Sequence, residues 1–248
     1  MRIIISGICG HMGQELYHLT LDPSRTVEAV CGIDAAPSFG MPVQVYKTFD
    51  EVGEKTDCIV DFSHHSATAA LTAFAVETNT PLVIATTGQT DEEKKMIEEA
   101  SKSVPVFFAA NFSIGVALLC SLAKKTAAVM NDAEIEIVET HHDRKLDAPS
   151  GTALAIADAI KEARPGAETV CGRSGHAKRK SEEIGISSVR IGNVVGIHEV
   201  LIGNGNETIT LKHEAHSRAL FASGALVAAR FVADKTPGLY TMKDMIKL

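Results

Sequence analysis

Two histidines, a lysine and a Ser-Gly-Thr turn crowd into the stretch Glu139-Thr140-His141-His142-Asp143-Arg144-Lys145-Leu146-Asp147-Ala148-Pro149-Ser150-Gly151-Thr152-Ala153. Imidazole and ammonium groups exchange protons near neutral pH, and backbone N–H groups at a helix start attract anions. The stretch therefore combines proton donors with an anion site. Taken singly, its parts read more plainly: His-His-Asp-Arg-Lys suits a solvated loop, and Ser/Thr-Gly before a helix suits a simple cap. A metal site built on His141, His142 and Asp147 ranks below acid–base chemistry. Neighbouring side chains on an extended strand point to opposite faces and do not readily share one ion.

The elements that must hold this stretch are legible on both sides. Glu134-Ile135-Glu136-Ile137-Val138 alternates apolar and acidic residues, as a half-buried strand does. Ala153 to Ala163 is helical in pattern, opened by Pro149-Ser150-Gly151-Thr152 and stopped by Pro165-Gly166. The chemistry is thus placed on a strand-to-helix loop.

A second chemical stretch lies at the start of the chain. The strand Arg2-Ile3-Ile4-Ile5-Ser6 runs into Gly7-Ile8-Cys9-Gly10-His11-Met12-Gly13, and a helix is expected from about Gln14 to Leu19. Strand, glycine turn and helix form the setting of a phosphate-cradling loop, although G-x-x-G-x-x-G is not the commonest spacing. A further strand, Val27 to Ile33, ends in Asp34, about 20 residues past the last glycine, where an acid can accept hydrogen bonds from an adenosine ribose. Together these features predict a dinucleotide site, where the glycines alone would allow a plain turn.

Strands at Cys58–Phe62, Pro81–Ala85 and Val104–Ala109 alternate with helices at Ala67–Glu77 and Asp91–Ser101, which predicts a doubly wound parallel sheet of Rossmann type. Ligands of such sheets lie at the carboxyl ends of the strands. The ends here are Asp61-Phe62-Ser63, Ala85-Thr86-Thr87-Gly88 and Ala109-Ala110-Asn111-Phe112. His64 and His65 read as loop residues without a catalytic role. From Ser113 the pattern changes. A long helix, Gly115 to Met130, precedes the signature strand, and strands follow at Ile184–Val195, His198–Ile202 and Glu207–His213, the last after the turn Gly203-Asn204-Gly205-Asn206. These predict an α+β second domain with a mixed or antiparallel sheet. Gly172 to Lys180 is a basic loop of the solvated kind. His213-x-x-His216 lacks a third ligand nearby, so it is not read as a metal pair.

Composition sets the outer limits. The 248 residues are 45% hydrophobic and 22% charged, as in a soluble globular protein. A net charge of −7 argues against non-specific nucleic-acid binding. No apolar run approaches the ~20 residues of a membrane span. The start of the chain reads as a mature strand without a leader, and five scattered cysteines point to a reducing, cytoplasmic setting.

The stretch Glu139-x-His141-His142-x-x-Lys145-x-Asp147-Ala148-Pro149-Ser150-Gly151-Thr152-Ala153 resembles the signature of the 4-hydroxy-tetrahydrodipicolinate reductase family of the diaminopimelate route to lysine. The resemblance extends over essentially the whole chain. It implies NAD(P)H-dependent reduction of a cyclic imine bearing two carboxylates, with no metal required. It implies that residues Gly7, Ile8, Cys9, Gly10, His11, Met12 and Gly13 hold the pyrophosphate and Asp34 the ribose. Ala85, Thr86 and Thr87, together with Ala109, Ala110, Asn111 and Phe112, would touch the nicotinamide half. Ala85 stands where the family usually has glycine. Lys145 would be the proton donor and His141 its acid–base partner, with positively charged neighbours easing proton release from the lysine. His142, Gly151, Thr152 and Arg218 would bind the substrate carboxylates. Residues 1–112, completed by 219–248, would form the dinucleotide-binding domain, and 113–218 the substrate-binding and oligomerisation domain of a homotetramer. Many relatives carry an arginine after the ribose-binding acid, whereas this chain reads Asp34-Ala35-Ala36-Pro37, so NADH is expected over NADPH. Two other readings stay open: a Rossmann dehydrogenase of another small amino-acid-derived carbonyl or imine, and a nucleotide-sensing protein without catalysis.

Overall fold

The computed structural model describes residues 1–36 and 40–246. Pro37, which bears on the cofactor expectation, and the last two residues of the closing stretch lie outside the described residues. The chain divides into two compact units, one of residues 1–113 with those from Ala219 on, the other of residues 114–218.

The first unit is built on β1 (Arg2–Ser6), α1 (His11–Thr20), β2 (Glu28–Ile33), β3 (Val45–Tyr46), β4 (Cys58–Asp61), α2 (Thr68–Glu77), β5 (Leu82–Ile84), α3 (Asp91–Ser101) and β6 (Pro105–Phe108). The central β1 reads Ile3-Ile4-Ile5 without alternation because both faces of the sheet are covered. Each of these isoleucines is wholly inaccessible, and such burial is worth about 1.5–3 kcal/mol per side chain. α1 begins at His11, inside the glycine run and ahead of the expected Gln14. Gly13 causes this by letting the helix start against the Gly7 carbonyl.

The second unit contains α4 (Ile114–Val129), β7 (Glu134–His141), α5 (Gly151–Ala163), β8 (Glu168–Cys171), β9 (Glu183–Arg190), β10 (Gly196–Gly203) and β11 (Thr208–Ala215). Its sheet has the order β11-β10-β7-β9-β8, with β7, β9 and β8 parallel and β10 antiparallel to both its neighbours. The sheet is therefore mixed, as the pattern predicts. Leu119, Ala123, Ile156 and Ile160 of α4 and α5 cover one face, against Ile135, Ile137, Ile186 and Val200. Three boundaries differ from the sequence reading. β7 runs on to His141 because β9 and β10 pair with it along its length. β9 stops at Arg190, short of Val195: Gly192 turns the chain at φ +52, and His142 N donates to Val194 O at 2.8 Å. β8 is a short, polar edge strand with no periodic signal of its own.

The chain then returns to the first unit as α6 (Ala219–Ala233), β12 (Gly238–Tyr240) and α7 (Met242–Met245). β12 joins the edge of an all-parallel sheet of order β12-β6-β5-β4-β1-β2-β3. Ala222, Ala225, Leu226 and Ala229 of α6 bury against Phe107 and Phe112 on the face that also carries Leu16 of α1. Leu71, Ala75 and Ile97 of α2 and α3 cover the opposite face.

Candidate active site

In the first unit, the glycine loop is held by backbone contact. Gly7 has φ +77, and a Cβ there would lie 2.6 Å from Phe62 O, so the position excludes side chains on both counts. At Gly13 a Cβ would lie 2.0 Å from Gly7 O. The side chain of Ile8 is wholly buried against Gly32, and Met12 packs on the core, so these two residues shape the loop from beneath. His11 is exposed on the first turn of α1. Asp34, just past β2, accepts from Cys9 N at 2.9 Å through one carboxylate oxygen and from Ala36 N at 2.8 Å through the other. A cavity of about 670 Å³ is lined by Gly7, Cys9, Gly10, Asp34, Ala35 and Lys47, among others. Glycines, a helix start and an anchored acid on one cavity are what an adenine dinucleotide requires. Lys47 had no place in the sequence reading. Register brings it there, because β3 runs parallel to β2 with Ile33 opposite Tyr46.

The segments expected on the nicotinamide side lie at neighbouring strand ends of the same sheet. Ala85 N donates to Asp61 O at 2.9 Å. Thr86 is buried and its hydroxyl donates to Asp61 Oδ2 at 2.6 Å, so this side chain points inward while Thr87 is exposed. Burial pushes the Asp61 carboxyl above its ordinary range, opposed by hydroxyl donors from Ser63, Thr86 and Ser6. Asp61 is thus a buried brace for the Thr86 turn. Asn111 Oδ1 accepts from Ser113 N at 2.8 Å, and the Phe112 side chain is buried beside Phe107. Ala109 is half-buried and Ala110 exposed after β6. His65 pairs with Glu93 at 3.0 Å and His64 bonds Ser66, local roles that agree with the loop reading.

In the second unit, the signature folds around a carboxylate. Glu139 is wholly buried on the helix-covered face of β7, two residues before His141. Its Oε2 lies 2.5 Å from His141 Nδ1, and its Oε1 accepts from Ser150 N at 3.1 Å. Arg190 forks onto both oxygens, at 2.8 and 2.7 Å. Burial alone would raise the Glu139 carboxyl. Hydrogen bonds from Arg190, Ser188, His141 and the Ser150 amide outweigh burial and hold it down to about 2. A charged carboxylate at Nδ1 keeps the proton on that nitrogen and leaves Nε2 as the working atom of His141. Nε2 lies 3.1 Å from where a Cβ of Gly196 would stand, so glycine keeps that side of the ring clear. Burial pushes the His141 imidazole below its ordinary range, with Glu139 opposing and the Lys145 and Arg190 charges adding to the fall.

Lys145 is mostly buried, with Nζ 2.8 Å from Asp147 Oδ1. The expectation of positively charged neighbours around it needs correction on this point, since the group in contact is a carboxylate. His142 follows β7, and its Nδ1 is buried without a hydrogen-bond partner among the described residues. Ser150 caps α5, its Oγ accepting from Ala153 N at 3.2 Å and lying 3.1 Å from His198 Nε2. Gly151 is exposed and Thr152 half-buried on the first turn, at the positive end of the helix. A Cβ at Gly151 would meet no protein atom within 4 Å. Arg218 is exposed in the turn before α6 and makes no ion pair among the described residues, so the structure does not join it to the His141 cluster.

Sequence reasoning placed Asp61 at a candidate strand end without its bracing role, and it missed Arg190 and His198. Asp61 ends a strand and Arg190 follows a run of alternation, but a one-dimensional pattern does not reveal the partner each one meets. Burial, with His141 adding to the effect, pushes the His198 imidazole down to about 4. It faces His141 edge-on with ring centroids 5.1 Å apart.

Comparison with known proteins bears on both units. Residues 1–112 match the family description "Dihydrodipicolinate reductase, N-terminus", and residues 115–246 match "Dihydrodipicolinate reductase, C-terminus". The chain is 46% identical to the 4-hydroxy-tetrahydrodipicolinate reductase of Caldanaerobacter subterraneus subsp. tengcongensis, covering 100% of this chain and 98% of that one. It is 40% identical to the Clostridium tetani enzyme of the same name, over 99% and 97% of the two chains. Among solved structures, the dipicolinate-bound dihydrodipicolinate reductase of Paenisporosarcina sp. TG-14 matches with a TM-score of 0.84 at 29% identity, covering 100% of this chain and 99% of that one.

Proposed function

The chain belongs to the dihydrodipicolinate reductase family, and from that premise we infer how its residues divide the reduction of 4-hydroxy-tetrahydrodipicolinate to tetrahydrodipicolinate. The reaction is an NAD(P)H-dependent reduction in lysine and diaminopimelate biosynthesis. A reduced nicotinamide, when bound, supplies the hydride. Gly7 to Gly13 would hold its pyrophosphate by backbone amides and the start of α1, and Asp34 its adenosine ribose. The segments Ala85–Thr87 and Ala109–Phe112 would border the nicotinamide.

The second unit handles the other half of the chemistry. The substrate is a small dicarboxylate, in keeping with the dipicolinate held by the Paenisporosarcina enzyme. One carboxylate would sit at the start of α5, on the Gly151 and Thr152 amides and the Thr152 hydroxyl, where the helix dipole favours negative charge. The unpartnered His142 Nδ1 is a second donor, and Arg218 a third if its exposed side chain turns to the ligand. The 4-hydroxyl of the substrate leaves as water, and as the ring accepts hydride it must also gain a proton, so hydride and proton enter and one water departs. Lys145 carries that proton, held by Asp147, and His141 moves charge through Nε2 while Glu139 fixes its tautomer.

The observation that carries this reading is the buried Glu139–His141 pair next to the Lys145–Asp147 pair at a helix start. Mixing the protein with pyruvate, aspartate semialdehyde and the preceding synthase should produce loss of reduced-cofactor absorbance. Absence of that loss, with the synthase active, rejects the reading.

Three finer statements belong to the same proposal. NADH is the preferred cofactor, because Asp34 is followed by alanines. The protein works in a reducing, cytoplasmic setting, in keeping with its five free cysteines. It assembles as a homotetramer through the face of the five-stranded sheet opposite the helices, where Val138 and Leu201 alternate with the buried residues.

A further inference from the structure

Resting on the reading of His141 and Lys145 as the proton-handling pair, we propose that Arg190, which lies outside the signature, is the positioning residue that holds those two groups in one arrangement. The backbone brings it there. β9 pairs with β7 in parallel, and the register sets Arg190 opposite His141, with Ile191 N donating to His141 O at 2.9 Å. Alternation turns Ser188 and Arg190 to the side of the sheet that carries Glu139 and His141, where both bond the Glu139 carboxylate.

One guanidinium then serves a strand and the loop that follows it. Its Nη1 and Nη2 take both oxygens of Glu139, and Nη2 also donates to Asp147 O at 2.7 Å. Glu139 orients His141 through Nδ1 at 2.5 Å, while the Asp147 carboxylate holds Lys145 Nζ at 2.8 Å. A continuous set of contacts thus runs His141–Glu139–Arg190–Asp147–Lys145. Only a planar fork with several fixed donors makes all these bonds at once, and an ammonium cannot.

The charge matters as well as the shape. Glu139 is wholly buried and stays ionised because Arg190 compensates it. Without the guanidinium, the remaining group placed to compensate Glu139 is His141 itself, which would keep a second proton to higher pH. The groups acting on His141 are Glu139 on its own strand, Arg190 on β9, His198 on β10 and Lys145 on the loop, with Ser150 bonded to His198 and Asp147 to Lys145. His213 of β11 stands opposite His198 in register. Among these, Arg190 both touches Glu139 and reaches Asp147.

The test compares Arg190→Lys and Arg190→Met with the unmodified enzyme. Arg190→Met should lower kcat by roughly tenfold to a hundredfold, part of the 10²–10⁴-fold a positioned acid–base group supplies, with nucleotide Kd unchanged. Its pH–kcat profile should have the histidine limb moved upward by about one unit or more, as loss of an opposing cation requires. Arg190→Lys should lose kcat while keeping that limb near its original place, since charge remains and the fork does not. A folded variant of either kind with unchanged kcat and an unmoved limb overturns the proposal. A merely structural arginine would lower stability without moving the limb. Should Arg190→Met fail to fold, Arg190→Lys still decides. Proton NMR of ¹⁵N-histidine-labelled unmodified protein adds an independent reading, in which His141 Nδ1–H must appear at low field as a strongly hydrogen-bonded proton. Its absence also overturns the proposal. Failure of the functional reading is separate, because it appears as no turnover by the unmodified enzyme, while the NMR titration of His141 still judges Arg190.

Discussion

The two ends of this chemistry are built from different materials. The glycine loop of the first unit is made of backbone: its shape depends on the contacts of Gly7 and Gly13 with neighbouring carbonyls, and its one anchored acid, Asp34, is held by two amides. The signature of the second unit is made of side chains bonded to one another, Glu139 with Arg190, His141 and the Ser150 amide, and Ser150 with His198. A backbone site tolerates chemical change in its surroundings but no added volume. A side-chain network tolerates volume at its exposed rim but no change of charge. Substitutions in the two places should therefore fail in different ways.

The largest expected effect is at Lys145. Lys145→Ala should lower kcat by about 10²–10⁴-fold, with nucleotide affinity nearly unchanged. His141→Ala should lose less, because Lys145 keeps its carboxylate partner at 2.8 Å without it. A Lys145→Ala enzyme with near-normal kcat would remove the lysine from the chemistry and leave the second unit a binding surface.

Next comes the response of the network to acid. His198 is buried beside His141, and burial pushes its imidazole down to about 4, below the ordinary histidine value. Its contribution to stability is therefore present above about 6.5 and is lost as pH falls from there through 4. Glu139, depressed to about 2, adds a second loss that begins near pH 4–5 and completes below 2. Urea unfolding at pH 7 and at pH 4.5 should differ by on the order of 2–3 kcal/mol from His198. His198→Gln should flatten that slope. An unchanged slope would show that His198 accepts a proton without cost to the fold.

Glycines sharpen the contrast directly. Gly13→Ala forces a methyl into the Gly7 carbonyl and should destabilise the first unit by about 1–3 kcal/mol while weakening nucleotide binding. Gly151→Val meets open space in the protein, and valine is no worse a helix former than glycine, so the fold should keep its stability. A bound carboxylate would meet the new side chain, and KM for the dicarboxylate should rise. An unchanged KM would place that carboxylate elsewhere.

The same contrast explains what the sequence revealed. Gly7, Gly13 and Asp34 work through local spacing, so a strand, a turn and a helix in order were enough to find them. The signature was found only in part. Its proton-bearing residues are contiguous, but Arg190 reaches Glu139 across strand pairing, and His198 reaches Ser150 across another. Periodicity says which face a residue occupies and not whom it meets there. Edge strands β3, β8 and β12 escaped for a related reason: two to four residues paired on one side carry no period to read. β3 had a consequence for the site, because it delivers Lys47.

Cofactor preference, the smallest effect, turns on that lysine. Asp34 presents oxygens that each already accept one amide and retain lone pairs for ribose hydroxyls. Bonds from NADH hydroxyls to such a charged group are worth about 1.5–3 kcal/mol each. A 2′-phosphate forfeits at least one and sets its charge beside the carboxylate, at a cost on the order of 1–4 kcal/mol. Lys47 lines the same cavity one residue beyond Tyr46, whose carbonyl accepts from Asp34 N at 2.9 Å. An ammonium there offsets part of the repulsion, so NADPH should remain usable, with NADH ahead in kcat/KM by about tenfold, the equivalent of ~1.4 kcal/mol. Lys47→Ala should widen the gap by a similar factor through NADPH alone, and its effect should shrink with added salt. Ala35→Arg, which sets a cation directly after the acid, should narrow it and barely touch NADH. Calorimetric binding of NAD⁺ and NADP⁺ to each variant separates affinity from turnover. Equal or reversed preference in the unmodified enzyme at low salt would show that Asp34 does not govern the choice. A Lys47→Ala enzyme with unchanged NADPH binding would show that the ammonium does not reach the phosphate.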